Sequence, residues 1–232
     1  MCGRFVLARR AKELKVELGD PAWDDEGKYL PHFNLTPTLS TPVLFGGDAP
    51  HLRLAHWGLV PSWAKDASIG ARMINARAET LAEKPSFRGL VGRRRCVVPA
   101  DGYYEWQQTR AGKTPHYIHP PDGRLLLFAG LWDLWRDPAG QPLYSYTIIT
   151  TAAAPALAEL HDRMPALLGR EQMAAWLDAE HHPADEVRPW LRPSAQALVF
   201  HPVSRRVNTP ANDDPELIAP AAPGPGEFTL SN

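Results

Sequence analysis

The stretch from Cys96 to Thr150 constrains this chain more than any other. Cys96-Val97-Val98, Tyr103 to Gln107, His116 to His119, Leu125 to Trp135 and Leu143 to Thr150 are β-like segments parted by Gly, Pro or Asp. That punctuation marks strands joined by turns. Further strands are expected through Phe5 and Val6, near residues 42–46 and 51–58, and from Ala197 to Ser204. Helical spacing covers residues 8–19, where Ala11, Leu14, Val16 and Leu18 supply the apolar positions and Gly19-Asp20-Pro21 ends the run. Helices are also expected over 153–161, 170–178 and 184–191. The 24 prolines among 232 residues favour loops and broken elements over long helices. Strands in runs with helices scattered between them predict an α+β chain with a curved, mainly antiparallel, barrel-like core and peripheral short helices. One domain is expected over residues 1–217. Residues 218–232, with Pro220, Pro223 and Pro225, read as a loosely ordered proline-rich tail.

Charge and cysteine usage narrow the function classes. A formal net charge of −1 argues against a generic nucleic-acid glue, so any such claim rests on local charge. Residues 65–95 hold Lys65, Arg72, Arg77, Lys84, Arg88, Arg93, Arg94 and Arg95 against Asp66, Glu79 and Glu83, which predicts a positive face. A solvated helix-and-loop surface gives the same pattern. The two cysteines, Cys2 and Cys96, make no disulfide framework and suit a reducing compartment. Arg4, Arg9, Arg10 and Lys12 interrupt any apolar leader, and the apolar run Leu125 to Trp132 is too short to span a bilayer. A cytoplasmic protein is expected.

The start of the chain, Met1-Cys2-Gly3-Arg4-Phe5, carries unusual chemistry. Residue 2 is small enough for Met1 to be trimmed, which would leave Cys2 with a free α-amine beside its thiol. Such a 1,2-aminothiol condenses with an aldehyde to an imine, and the thiol then closes a thiazolidine. Both groups ordinarily titrate near neutrality. The same residue can attack a carbonyl with its own amine as base, or it can be an idle terminus.

Other polar clusters sit at element ends. Asn75 and Arg77, two apart in Ile74-Asn75-Ala76-Arg77, share a side if extended; the amide can orient a carbonyl or hydroxyl, or cap a turn. Glu105 lies in the aromatic run Tyr103-Tyr104-Glu105-Trp106, either facing solvent or desolvated and fit for proton transfer. His161, in His161-Asp162-Arg163-Met164-Pro165, is a proton shuttle or a structural ring. No metal-ligand spacing, P-loop or dinucleotide fingerprint occurs, so no metal or cofactor is expected.

Taken together, Met-Cys-Gly-Arg-Phe, Trp57 to Trp63, Asn75 to Thr80, Arg95 to Trp106 and His161 to Pro165 resemble the signature blocks of the SRAP family, the SOS response-associated peptidase or abasic-site processing proteins. The late block Val203 to Asn208 resembles that family's closing strand. The resemblance implies an α+β domain with a barrel-like core and a groove for single-stranded DNA. It also implies covalent capture of abasic sites at Cys2, a chemistry the aminothiol suits independently. Carried over, Asn75 would position the terminus and the opened sugar, Glu105 would move protons, and His161 would assist at the sugar hydroxyl. Arg4, Arg77 and Arg163 would hold phosphates, with Trp106 and Thr150 shaping the groove. The implied protein is a monomer acting on abasic single strands at single-strand/duplex junctions, nucleoid-associated when bound, with no membrane partner. Two other readings stand beside it: a cysteine peptidase that at least removes Met1, and a non-covalent reader of modified bases.

Overall fold

The computed structural model describes residues 2–47, 49–110 and 112–221. From the N-terminus, β1 (Phe5–Leu7) leads into α1 (Ala11–Leu18), β2 (Ala22–Trp23), β3 (His32–Leu35), β4 (Ser40–Phe45) and β5 (His51–Trp57). After a long excursion come β6 (Asn75–Arg77), β7 (Arg95–Ala100), β8 (Gly102–Thr109), β9 (Gly112–His119), β10 (Leu126–Arg136) and β11 (Pro142–Ala152). The chain ends through β12 (Arg163–Pro165), α2 (Arg170–Leu177), α3 (Ala184–Val187) and β13 (Val199–Pro202). The expected strands are present, and the fold is α+β with short helices.

The barrel closes on β11. Antiparallel pairs run β5–β4, β4–β7, β7–β10 and β10–β11, and β11 then meets β5 in parallel through Ser145↔His56 and Tyr146↔Trp57. Closure leaves no free edge on these strands. Farther along, β11 changes partner to β6, with Ile148 opposite Asn75 and Thr150 opposite Arg77. The excursion between β5 and β6 is pinched at its neck. Gly58 has a φ of +131°, and a Cβ there would lie 2.6 Å from the Gly70 carbonyl oxygen, so the two backbone segments touch only because residue 58 is glycine.

A second, antiparallel sheet runs β13-β9-β8-β1-β3. Its interior strand β1, between β8 and β3, is the first strand of the chain. Phe5 pairs with Tyr103 on one side and Leu35 on the other. The Phe5 ring meets Trp57 edge-on at 5.0 Å and Phe128 at 6.1 Å, which nails this sheet to the barrel. Tyr29 Oη donates at the far end of the strand, to the carbonyls of Leu7 (3.0 Å) and Arg9 (2.8 Å).

Three expectations need correction. In α1 the buried pair is Leu14 and Leu18, four apart, whereas Val16 is 69% exposed. Residues 153–161 form no α-helix, only a 3-10 turn at Pro155–Leu157. The Ala153 N–H donates to the Asp162 carbonyl at 2.9 Å, pinching the segment into a loop too tight for a helix. The basic run is not all surface. Arg95 is buried and donates to the carbonyls of Val91 (3.0 Å), Asp178 (2.9 Å), His182 (2.9 Å) and Trp176, bracing α2 against β7. Arg94 pairs with buried Asp133. The exposed cations of the run are Lys65, Arg72, Arg77, Lys84, Arg88 and Arg93.

At the C-terminal end, Val203 bridges Pro220 and the Ala221 N–H donates to the Pro202 carbonyl at 2.8 Å. Residues 218–221 therefore lie against β13, and the rest of the expected tail lies outside the described residues. No helix among them is long and apolar enough to cross a membrane. Because the buried Phe5 ring packs against both Trp57 and Phe128, Phe5→Ala should cost about 3–5 kcal/mol. Urea unfolding with an unchanged m-value would measure this; a loss below about 1 kcal/mol would mean the ring carries little of the join.

Candidate active site

Cys2 does not lie in a frayed segment. Cys2 is fully buried, because Gly3 and Arg4 lead straight into β1 and its hydrophobic anchor. The Asn75 Nδ2 amide donates to the Cys2 carbonyl at 2.7 Å, so the partner change on β11 that sets β6 in place also delivers Asn75 to the chain start. The Asn75 Oδ1 atom is itself buried and has no hydrogen-bond partner among the described residues.

Glu105 reaches the same place from β8. Tyr103 and Glu105 share a strand face, the face on which Tyr103 lies opposite Phe5. Glu105 is 4% exposed. Burial raises its carboxyl above the ordinary range, and the nearby charge of His161 offsets part of that rise. Burial also raises the Cys2 thiol, and the charge of Glu105 pushes it the same way. Thiol and carboxyl are thus both protonated more readily than in water.

His161 stands at the end of the loop before β12. Its Nδ1 accepts the Arg163 backbone N–H at 3.0 Å and lies 2.7 Å from Asp162 Oδ1. The Arg163 guanidinium forks onto Glu79, Nη1 to Oε1 at 2.7 Å and Nη2 to Oε2 at 2.9 Å, and Nη2 also donates to the carbonyl of buried Thr150 at 2.6 Å. Arg77 is exposed and makes no ion pair among the described residues.

Cys2, Asn75, Glu105 and His161 therefore come together, with Thr150, Arg163 and Arg77 beside them. Arg4 and Trp106 do not join this group. They lie on the opposite face of the β1–β8 pair, where Arg4 stacks over the Trp106 ring at 5.8 Å. Arg4 Nη1 donates to Asn34 Oδ1 and to the Val207 carbonyl, each at 2.7 Å, and Trp106 Nε1 donates to Asn208 Oδ1 at 2.7 Å. Both residues grip the closing segment Arg205–Asn208. Reading the sequence missed two residues here. Asn34, 2% exposed, joins Arg4 to the carbonyls of Thr209 (3.2 Å) and Asn212 (2.7 Å). Glu79 holds Arg163 from the turn that follows β6, and its place two residues after Arg77 in the same polar block was the available signal.

A closed barrel that buries a thiol two residues from the chain start, against an amide, a carboxyl and an imidazole, defines a narrow class of proteins. The model of the SRAP family, "SOS response associated peptidase", matches residues 1–210, and the chain belongs to that family. It is similar to the abasic site processing protein YoqW of Bacillus subtilis, 40% identical over 221 residues that cover 94% of this chain and 99% of YoqW. It is also similar to the abasic site processing protein HMCES of Gallus gallus, at 38% identity over 95% of this chain and 78% of HMCES. A solved protein from Bacteroides thetaiotaomicron shares the fold, with a TM-score of 0.86 and 26% identity over 95% of this chain and 100% of that one.

The raised Glu105 carboxyl has a consequence for stability. The folded chain binds this proton more tightly than the unfolded chain does. Its contribution is therefore full below the ordinary carboxylate pKa and is lost as pH rises through the raised, folded value. Glu105→Gln keeps the shape and removes that loss. The variant should melt higher than the parent at about pH 8, by roughly 2–4 °C per kcal/mol, with the gap closing toward about pH 4. A variant that melts lower at both ends would show that the carboxylate is stabilised in place.

Proposed function

We propose that this protein binds single-stranded DNA and captures abasic sites covalently through Cys2, once Met1 is removed. The observation that carries the reading is the fixed, buried Cys2, held by Asn75 and set beside a Glu105 carboxyl that burial keeps inclined to hold a proton. The names of the relatives, abasic site processing proteins, support the same direction.

The chemistry follows from the groups present. The ring-opened abasic sugar exposes an aldehyde. The Cys2 amine adds to it, giving a carbinolamine. Protonated Glu105 gives its proton to the departing hydroxyl, water leaves, and an iminium remains. The Cys2 thiol then attacks the imine carbon, and its proton passes to the Glu105 carboxylate, which restores the acid. A C–N and a C–S bond form, the C=O bond is lost as water, and no oxidant or reductant is needed. A thiol held protonated suits this sequence, since it must wait for the iminium. The unpartnered Asn75 Oδ1 is ready to accept a bond from the sugar hydroxyl or the new amine, recovering the cost of a buried lone acceptor. His161 can exchange a proton with the sugar oxygens. Exposed Arg77 suits a flanking phosphate, and a base-less nucleotide in a single strand reaches such a site without unpairing a duplex.

The same raised thiol weighs against a peptidase working from a resting thiolate, whose nucleophile sits in an electropositive setting that lowers its pKa. A non-covalent reader would leave Cys2 without work.

Two experiments test the proposal. Glu105→Gln should slow formation of a denaturant-resistant adduct by roughly 10²-fold or more while single-strand affinity stays near the parent value; equal rates would remove Glu105 from the mechanism. A variant with a cleavable extension ahead of Cys2 keeps the thiol but ties the amine into an amide, whose lone pair is delocalised. It should form no adduct until a site-specific protease frees Cys2, and should then crosslink in the same tube. An extended form that crosslinks as fast and as stably as the freed one would rule out the amine as nucleophile.

A further inference from the structure

Arg163 and Glu79 are unequal partners. The Arg163 side chain is 12% exposed and the Glu79 side chain 51%. The guanidinium is anchored behind by the Thr150 carbonyl, while the carboxylate sits on the short 3-10 turn Ala78–Thr80 at the surface. A carboxylate that grips the Nη1/Nη2 edge of an arginine occupies the edge that a phosphodiester would take in the same two-point geometry. Only the carboxylate has somewhere else to go. Beside it lies a hollow of about 370 Å³ lined by Ala78, Glu79, Asp185, Arg188, Pro189 and Leu191, and among the described residues the Arg188 guanidinium there is paired only with exposed Asp185, at 3.4 Å.

We infer that Glu79 is an internal stand-in for a DNA phosphate: it holds Arg163 in the DNA-free protein and is exchanged for a backbone phosphate when a single strand binds. The inference rests on the single-strand reading given above. The exchange keeps Arg163 neutralised at every stage, so a deeply set cation is never left bare beside the catalytic groups. Arg163 keeps its Thr150 contact throughout, and with it the backbone N–H that His161 Nδ1 accepts. The freed carboxylate turns toward Arg188. Glu79 thereby lowers the affinity for any strand that cannot bring a phosphate to this one position, and so acts as a determinant of where along the strand the protein settles. Arg163 holds the Glu79 carboxyl below the ordinary carboxylate range, in keeping with a contact formed in the free protein.

The test is a titration of a labelled single-stranded oligonucleotide without an abasic site, followed by fluorescence anisotropy over a series of salt concentrations. Four proteins are compared: the parent, Glu79→Gln, Arg163→Gln and the double variant. Glu79→Gln should bind about two- to fivefold more tightly at moderate salt, the scale set by one exposed ion pair. Its salt dependence should be steeper by up to about 0.7 in the log–log slope, one more net single-strand phosphate contact. In the Arg163→Gln background the same change should give no gain. If Arg163→Gln fails to fold, Arg163→Lys replaces it, since lysine cannot hold the fork, and the gain should shrink. Equal or weaker binding by Glu79→Gln at every salt overturns the inference, as does an undiminished gain without Arg163, which would be repulsion through space. A parent protein that binds no single strand removes the DNA reading itself, an outcome distinct from either.

Discussion

The insertion of β1 between β3 and β8 is the interaction on which the rest depends. Three residues at the start of a chain would ordinarily fray. Here Phe5, Val6 and Leu7 are fully buried, paired on both sides, and locked to the barrel by the Phe5 ring. The cost of ordering the terminus is met by this burial, and Cys2 is carried into a fixed position as a consequence. The grip continues on the other face, where Arg4 and Asn34 draw in the closing segment near Val207. Both ends of the domain thus meet at the strand that holds the thiol.

Around that anchor the barrel supplies the other groups by strand register. The change of partner on β11, from β5 to β6, sets Asn75 level with Ile148 and Arg77 level with Thr150. The antiparallel pairing of β11 with β12 puts Arg163 opposite Ala152 and hence His161 at the rim. Alternation along β8 turns Glu105 inward and Trp106 outward. The low dielectric of this setting does the electrostatic work: it raises the thiol and the carboxyl together and leaves the cations to the surface or to partners such as Glu79.

Much of this was legible in the sequence, for physical reasons that differ from residue to residue. The strands from Arg95 to Ala152 announce themselves through β-branched and aromatic runs between turn residues, and their closeness in sequence makes their pairing local. Asn75, Glu105 and His161 stood out as polar groups inside apolar blocks. Parts of the same blocks turn out to be architecture. Asp101 accepts the Ala8 N–H at 2.6 Å and Arg9 Nε at 2.7 Å, and a Cβ at Gly102 would meet the Ile118 carbonyl oxygen at 2.5 Å. Arg95 read as a surface cation because three consecutive arginines look alike in sequence; its burial depends on α2, about eighty residues away. Asn34 gave no local signal, since its partners at Thr209 and Asn212 are supplied from the other end of the chain. Val16 was counted among the apolar positions of the helical run, but it sits two residues from both Leu14 and Leu18, and helix geometry puts it on the outer face.

The central claim is that the amine and the thiol of one residue both bond to the opened abasic sugar. Intact mass spectrometry tests it most directly. The purified protein is weighed alone and after incubation with a single-stranded oligonucleotide carrying one abasic site, with and without borohydride. The account predicts a protein lacking Met1 and a product whose mass is the sum of protein and oligonucleotide less one water. Borohydride added after the reaction is complete should leave that mass unchanged, because a closed thiazolidine has no imine to reduce. A product that gains two hydrogens under borohydride would show that the thiol does not close. No covalent product from a protein that has lost Met1 would contradict the account outright.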